Sequence, residues 1–258
     1  IDAMLRSIDD IHKRFFSIEK LWQKLTLDPG LVTFYHVDLE DIGLTDDLYI
    51  KMNARGKLLS PFENFKASFQ KFINDNKWDE DKMFPDTFAC KIDTQWTDLF
   101  WNHRKENSID EALIRFIATI AMIRISIEKG EERNDIISKL QDDPNSVKIE
   151  MFTEKSFTYL CETFDLYQKT LKTKLDLKME FPLFQHAPDN DLFSAIVYEG
   201  QNASYTQKVY FYAQTEYISQ CSEFNPIFFQ DWMRVVRNIL SRGDVTKNGD
   251  RPAIISST

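Results

Sequence analysis

The sequence predicts a mainly α-helical protein: a helical bundle with a short antiparallel strand pair near its N-terminus. Most segments repeat apolar residues every three or four positions, which is typical of amphipathic helices. Strand-like alternation is confined to the stretch between residues 31 and 52. Seven glycines and eight prolines in 258 residues are too few for the many turns of an all-β protein.

The composition is that of a folded globular protein with an acidic surface. Hydrophobic residues make up 43% of the chain and charged residues 28%, which excludes a largely disordered protein. The net charge of -9 makes the average surface repel polyanions, so contact with DNA would require a local basic patch. Residues 112–127 are the most apolar segment, but Arg115 and Arg124 interrupt it, and we expect no contact with a membrane.

The cysteines and histidines form no metal-binding pattern. Cys90, Cys161 and Cys221 lie far apart, are odd in number and include no Cys-x-x-Cys pair. We therefore expect reduced thiols, a cytoplasmic protein and no metal site. His103 follows Asn102, but a His-Asn-His nuclease needs further histidines at matched positions, so we expect an exposed helical histidine instead.

The first predicted helix carries a long apolar stripe. Apolar residues alternate spacings of three and four from Ile1 to Leu25, which is the spacing of a coiled-coil seam. Leu5 and Leu21 widen the stripe towards that of a helix packed on an ordinary core. Two interpretations follow: a core-facing helix, or a helix that pairs with a partner and makes the protein a homo-oligomer.

A strand, a basic turn and a capped helix come next. Residues 31–39 and 47–52 are predicted to pair as strands and to complete a larger sheet, since two strands alone are marginal. Ser60, Pro61 and Glu63 stand in the order of an N-cap, a first-turn proline and a capping-box acid. The helix that they open has one aromatic-rich face, formed by Phe62, Phe65, Phe69, Phe72 and Ile73.

The turn before this helix is a candidate phosphate- or nucleotide-binding site, formed by Asn53, Arg55, Gly56 and Lys57. Arg55 offers the bidentate geometry that phosphate favours, and the free amides at a helix start attract anions. Glu63 weakens this prediction, because its carboxylate occupies part of the same positive helix end. The alternative is a solvated turn without a ligand.

Only helical patterns follow from about residue 79 onward. Ser108 and Glu111 have the spacing of a second capping box, which would open the apolar helix that runs to residue 128. Further helices are predicted at residues 134–140, 152–175, 191–198, 205–219 and 225–241.

The last of these helices carries a secondary basic face. Arg234, Arg237 and Asn238 lie three and four residues apart and so share one side of the helix. They could bind an anion or reach another domain. The alternative is the solvated side of an amphipathic helix, because exposed charge is common.

The segment 47–66 resembles the helix-start motif of the GmrSD-type family, bacterial proteins with a ParB/sulfiredoxin-like N-terminal part. The residues that carry the resemblance are Asn53, Arg55, Gly56, Lys57, Leu59, Glu63 and Lys66. Residues 91–101 and 232–238 are similar to two further segments of the same family, in the same order along the chain.

The resemblance implies that the intact protein processes DNA in a nucleotide-dependent way, in restriction or phage defence, as an NTPase or a nuclease. The family's Asp-Gly-Gln-Gln-Arg signature and its His-Asn-His module do not occur in this sequence. We therefore expect this chain to be a fragment that has no catalytic residues and no cofactor. Its partner would be the rest of the same polypeptide. The intact protein would bind nucleotide and DNA. Residues 1–78 would end a ParB-like α+β domain, and residues 79–258 would form a helical domain truncated at its end.

Overall fold

The computed structural model describes residues 2–26, 59–105, 108–127, 133–181, 191–198 and 202–242. Within these ranges the protein is mainly α-helical, as predicted. The predicted strands at residues 31–39 and 47–52 lie outside the described residues. The chain divides into two compact units, Ile1–Leu58 and Leu59–Thr258.

The first unit contains helix α1, Asp2–Phe15, and the short helix α2, Leu21–Thr26. The prediction of one helix through Leu25 is wrong, because a turn over residues 16–20 separates α1 from α2. Lys20 in this turn has a φ of 55°, a left-handed conformation that cannot continue a right-handed helix. The heptad stripe is therefore limited to α1.

The second unit consists of helices joined by short connections. They are α3 (Pro61–Asp75), α4 (Phe88–Asp93), α5 (Thr97–Phe100), α6 (Asp110–Ile127), α7 (Arg133–Asp142), α8 (Glu154–Thr173), α9 (Leu192–Val197), α10 (Tyr205–Gln220) and α11 (Pro226–Arg242). Turns of 3-10 helix lie at Trp101–His103, Pro144–Ser146 and Ile149–Met151. The helices predicted after residue 108 are confirmed to within about two residues at each end, whereas α4 was not predicted.

Helix α6 is the centre of the second unit. It contacts α3, α7, α8, α9 and α10. Its apolar side chains are buried on all sides of the helix, among them Leu113, Phe116 and Ile117. A helix that is apolar all round must be enclosed by other elements to be stable, and the surrounding helices provide that enclosure.

The start of α6 differs from the predicted capping box. The Ser108 hydroxyl accepts a hydrogen bond from the amide of Asp110 at 3.3 Å. Glu111 forms an ion pair with Arg115, with 3.0 Å between Oε1 and Nε, because residues four apart are neighbours on a helix surface. The two residues thus stabilise the first turns of α6 separately.

Aromatic rings fill the core between α3, α6 and α8. Phe69 of α3 lies 4.7 Å from Phe152, ring centroid to ring centroid. Trp96 stacks on Phe164 at 4.6 Å, and Phe116 lies 4.8 Å from the same ring. Offset and tilted pairs of this kind add to the stabilisation that burial alone supplies.

Helix α3 belongs to the second unit because its aromatic face is buried there. Phe62, Phe65, Phe69 and Ile73 are all buried, as the spacing predicted. The division between the two compact units falls at Leu58. The predicted ParB-like domain of residues 1–78 and helical domain of residues 79–258 stay a prediction.

Candidate functional site

The predicted anion-binding turn, Asn53, Arg55, Gly56 and Lys57, lies outside the described residues, and its role stays a prediction. The helix that follows it is described from its first turn. The Ser60 amide donates to Glu63 Oε2 at 2.7 Å, and the Glu63 amide donates to Ser60 Oγ at 3.1 Å. Both bonds of a capping box are present, with Pro61 at the first helical position.

The capping box bears on how α3 could take part in anion binding. Of the free amides at the start of α3, that of Glu63 already donates to Ser60. The Glu63 carboxylate also places negative charge at the positive end of the helix. The start of α3 is therefore less favourable for an anion than a helix start without a capping box.

An ion pair connects two of the segments that carry the family resemblance. Lys66, on α3, lies with its Nζ 2.6 Å from Oδ1 of Asp93, at the end of α4. The Asp93 side chain is 56% exposed, so the pair contributes little to stability. The pair bridges the end of α4 and α3 on the surface of the second unit.

The second of these segments is anchored to α8 by a carboxylate. Lys91 Nζ lies 3.0 and 2.9 Å from the two oxygens of Asp165, and Trp96 Nε1 donates to Oδ1 of the same residue at 2.8 Å. The Lys91 ammonium also lies 5.5 Å from the Trp96 ring centre. Sequence reasoning missed Asp165, because it lies in a different helix far along the chain and belongs to no local motif.

The third segment packs its arginines on an aromatic ring. The guanidinium groups of Arg234 and Arg237 lie 5.4 and 5.5 Å from the ring centre of Phe181. Arg234 also donates to Asp231 at 2.6 Å, and Asn238 is exposed. The two arginines therefore share one face, as their spacing predicted, and both contact Phe181. Whether this face binds an anion stays a prediction.

His103 lies in a different environment from the one we predicted. It is half-buried in a 3-10 turn, and its ring lies 5.8 Å from that of Phe193. Burial lowers the pKa of His103, and the negative charge of Asp191 partly opposes this effect. The prediction of an exposed helical histidine is therefore wrong.

A polar cluster that sequence reasoning missed lies where α6, α7 and α10 meet. The Lys208 side chain is buried, and its ammonium donates to Gln141 and, at 2.9 Å, to the carbonyl of Ala203. Asn202 donates to the carbonyl of Gln141 at 2.6 Å and accepts from Arg115. These bonds hold the segment before α10 against α6 and α7.

The described ranges contain neither a metal-ligand cluster nor a membrane-spanning helix. Those ranges contain no cluster of three or more His, Cys, Asp or Glu side chains arranged to hold a metal ion. No helix within them is long and apolar enough to cross a membrane.

No family model matches this chain, and comparison with curated proteins and with solved structures likewise gave no match.

Proposed function

We propose that this chain is the non-catalytic helical portion of a GmrSD-like bacterial protein, which processes DNA in a nucleotide-dependent way in restriction or defence. The chain would scaffold that protein or sense its substrate. The ion pair between Lys66 and Asp93 is the observation that supports the proposal, because it joins two segments whose sequences separately resemble the family.

The contacts of the second segment give further support. Lys91 and Trp96 both bind Asp165, so that residues of the resembling segment have specific structural partners. Such side chains fix the position of α4 and α5 on α8, which is the role expected of residues that define a shared architecture. Nucleotide, in this proposal, binds only to the intact protein, with Asn53, Arg55 and Lys57 as the candidate contacts.

The gene that encodes this chain provides the first test. We expect an open reading frame that continues upstream of Ile1 and encodes Asp-Gly-Gln-Gln-Arg. A reading frame that continues upstream without this signature would remove the argument for a nucleotide-processing parent protein.

A second candidate function is a protein-interaction module that pairs through α1. The observation that favours it is the exposure of the apolar stripe: Ile8 and Ile11 are 57% and 58% exposed, and Leu5 and Phe15 are exposed as well. Exposed apolar stripes at heptad spacing are typical of helices that pair with another helix.

Sedimentation velocity at several concentrations tests this second candidate. We expect the double variant Ile8→Asp/Ile11→Asp to dissociate the assembly, because it places charge in the seam. Lys13→Asp, on the opposite face of α1, is the control and should leave association unchanged. A protein that is monomeric at every concentration would leave pairing through α1 without support.

A further inference from the structure

The segment that follows α8, residues 174–181, lies along one side of α11, and we call it the strap. Gln230 of α11 holds the backbone of the strap at two points. The Glu180 amide donates to Gln230 Oε1 at 3.1 Å, and Gln230 Nε2 donates to the carbonyl of Lys178 at 2.9 Å. Phe181, at the end of the strap, packs against the core. Specific bonds therefore fix the strap on α11.

Two arginines of α11 converge on the last residue of the strap. Arg234 and Arg237 follow Gln230 by four and seven residues and so lie on the same side of the helix. Their guanidinium groups lie 5.4 and 5.5 Å from the ring centre of Phe181, so they are no more than about 11 Å apart. Stacking on an aromatic ring orients a guanidinium and leaves the N–H groups at its edge available to an acceptor.

Only one of these two positive charges has a carboxylate partner among the described residues. Arg234 donates to Asp231 at 2.6 Å, and its side chain is still 50% exposed. Arg237 forms no ion pair and no side-chain hydrogen bond within the part of the chain that the structure describes. Two like charges held beside one ring repel each other, and an anion bound by both would relieve this repulsion.

Lysines extend the positive charge along the strap, and we call the whole surface the strap face. Its described cations are Lys172, Lys174, Lys178, Arg234 and Arg237, and its described carboxylates are Asp176, Glu180 and Asp231. Five cations thus stand against three carboxylates on this surface, whereas the whole chain has a net charge of -9. The strap face is therefore the kind of local basic patch that contact with a polyanion requires.

We propose that the strap face binds the backbone phosphates of a nucleic-acid strand, with Arg237 and Arg234 as the principal contacts. One strand carries a charge about every 3.4 Å of helix axis, so roughly three phosphates lie within the span of the two guanidinium groups. A guanidinium can bind a phosphate in bidentate geometry, and Lys178 adds a point charge beside it. An acidic peptide reaches this charge density only where nearly every residue is acidic.

This inference deepens the proposed function and rests on it in one respect, because it assigns the contact with a DNA substrate to this chain. The two can fail separately. The reading frame upstream of Ile1 tests the proposed function, whereas binding of DNA to this chain tests the strap face. Because guanidinium groups stack on Phe181, the contacts are with phosphates and not with bases. We therefore expect weak binding that depends strongly on salt and little on sequence.

Fluorescence anisotropy of a labelled DNA duplex of mixed sequence, titrated with the 258-residue protein at several salt concentrations, tests the proposal. We expect binding at low salt that weakens as salt rises. Arg237→Gln should weaken binding about three- to tenfold and reduce the salt slope by about 1, because one phosphate contact is lost. Asp231→Asn should strengthen binding about two- to threefold, because it removes a carboxylate that competes for Arg234.

A matched pair of lysine substitutions tests where the DNA binds. Lys178→Gln, in the strap, should weaken binding about two- to fivefold. Lys155→Gln removes the same charge near the other end of α8, roughly 25–30 Å away along the helix, and should leave binding nearly unchanged. Thermal melts verify that each variant is folded, and Asp231→Asn keeps the test decisive if Arg237→Gln does not fold.

Competition identifies the source of the charge. Unlabelled duplex should displace the labelled duplex at a lower concentration of charge than polyglutamate or ATP does. Equal displacement by polyglutamate would assign the strap face to acidic peptides, and equal displacement by ATP would assign it to free nucleotide; either result overturns the proposal. So would an absence of binding at the lowest salt, equal losses in Lys155→Gln and Lys178→Gln, or an Asp231→Asn protein that binds no more tightly than the wild type.

Discussion

Helices α6 and α11 are both rich in large apolar side chains, but they use them differently. Helix α6 buries apolar residues on every side, and α3, α7, α8, α9 and α10 contact it. Helix α11 buries one row, which includes Phe229 and Met233, and exposes the next row, which includes Phe228 and Val235. The difference is one of surroundings, since each helix contains side chains of the same kinds.

The comparison shows what an apolar pattern can establish. The pattern identifies the faces of a helix that gain free energy from being covered. It does not identify what covers them. Other helices of the same unit cover α6, and in our second candidate function a partner helix covers the stripe of α1.

The largest difference in the free energy of unfolding is expected when a phenylalanine is replaced by alanine in each of the two helices. Phe116→Ala in α6 should lower the free energy of unfolding by about 3–5 kcal/mol, because Phe116 is fully buried and packs on Phe100, Phe164 and Phe211. Phe228→Ala in α11 removes the same atoms from an exposed site and should change it by no more than about 0.5 kcal/mol. Urea denaturation measures both values. Equal losses would contradict the comparison.

An intermediate effect is expected at the anchor of α4 and α5. Asp165→Ala removes the partner of Lys91 and Trp96 and should cost about 1–3 kcal/mol. Asp93→Ala, which removes an exposed ion pair with Lys66, is the control and should cost less than about 1 kcal/mol. Thermal melts compare the two. A larger loss for Asp93→Ala would show that the anchor has been misidentified.

The sequence could predict features that depend on residues close together in the chain, but not contacts between residues of different helices. The aromatic face and capping box of α3 were predictable because spacing and cap residues are local. The break in the first helix was not, since residues 16–20 contain neither Gly nor Pro. Asp165 and Lys208 were missed because their partners lie on other helices, and no periodicity brings such residues together.

A smaller effect is expected at His103. Its side chain is half-buried against Phe193, so it is neither enclosed like that of Phe116 nor exposed like that of Phe228. Burial lowers its pKa in the folded protein below the value of about 6.5 that applies when the chain is unfolded. At pH values between these two pKa values, the unfolded chain binds more protons than the folded protein. The free energy of unfolding therefore rises with pH in this window and decreases as the pH falls.

Urea denaturation at a series of pH values between about 5 and 8 measures this slope. His103→Asn should reduce the slope. A wild-type slope that survives in His103→Asn would assign the pH dependence to another group.

Titration of the intact protein with nucleotide is the most direct test of our central proposal, that this chain is part of a nucleotide-dependent GmrSD-like protein whose turn at residues 53–57 binds the nucleotide. Arg55→Ala should weaken binding about tenfold or more, since it removes a charged bidentate donor, and should leave the melting temperature nearly unchanged. Ser60→Ala is the matched control: it should keep binding and lower stability by about 0.5–2 kcal/mol, because it removes the N-cap of α3. An Arg55→Ala protein that binds nucleotide like the wild type and melts early would contradict the claim.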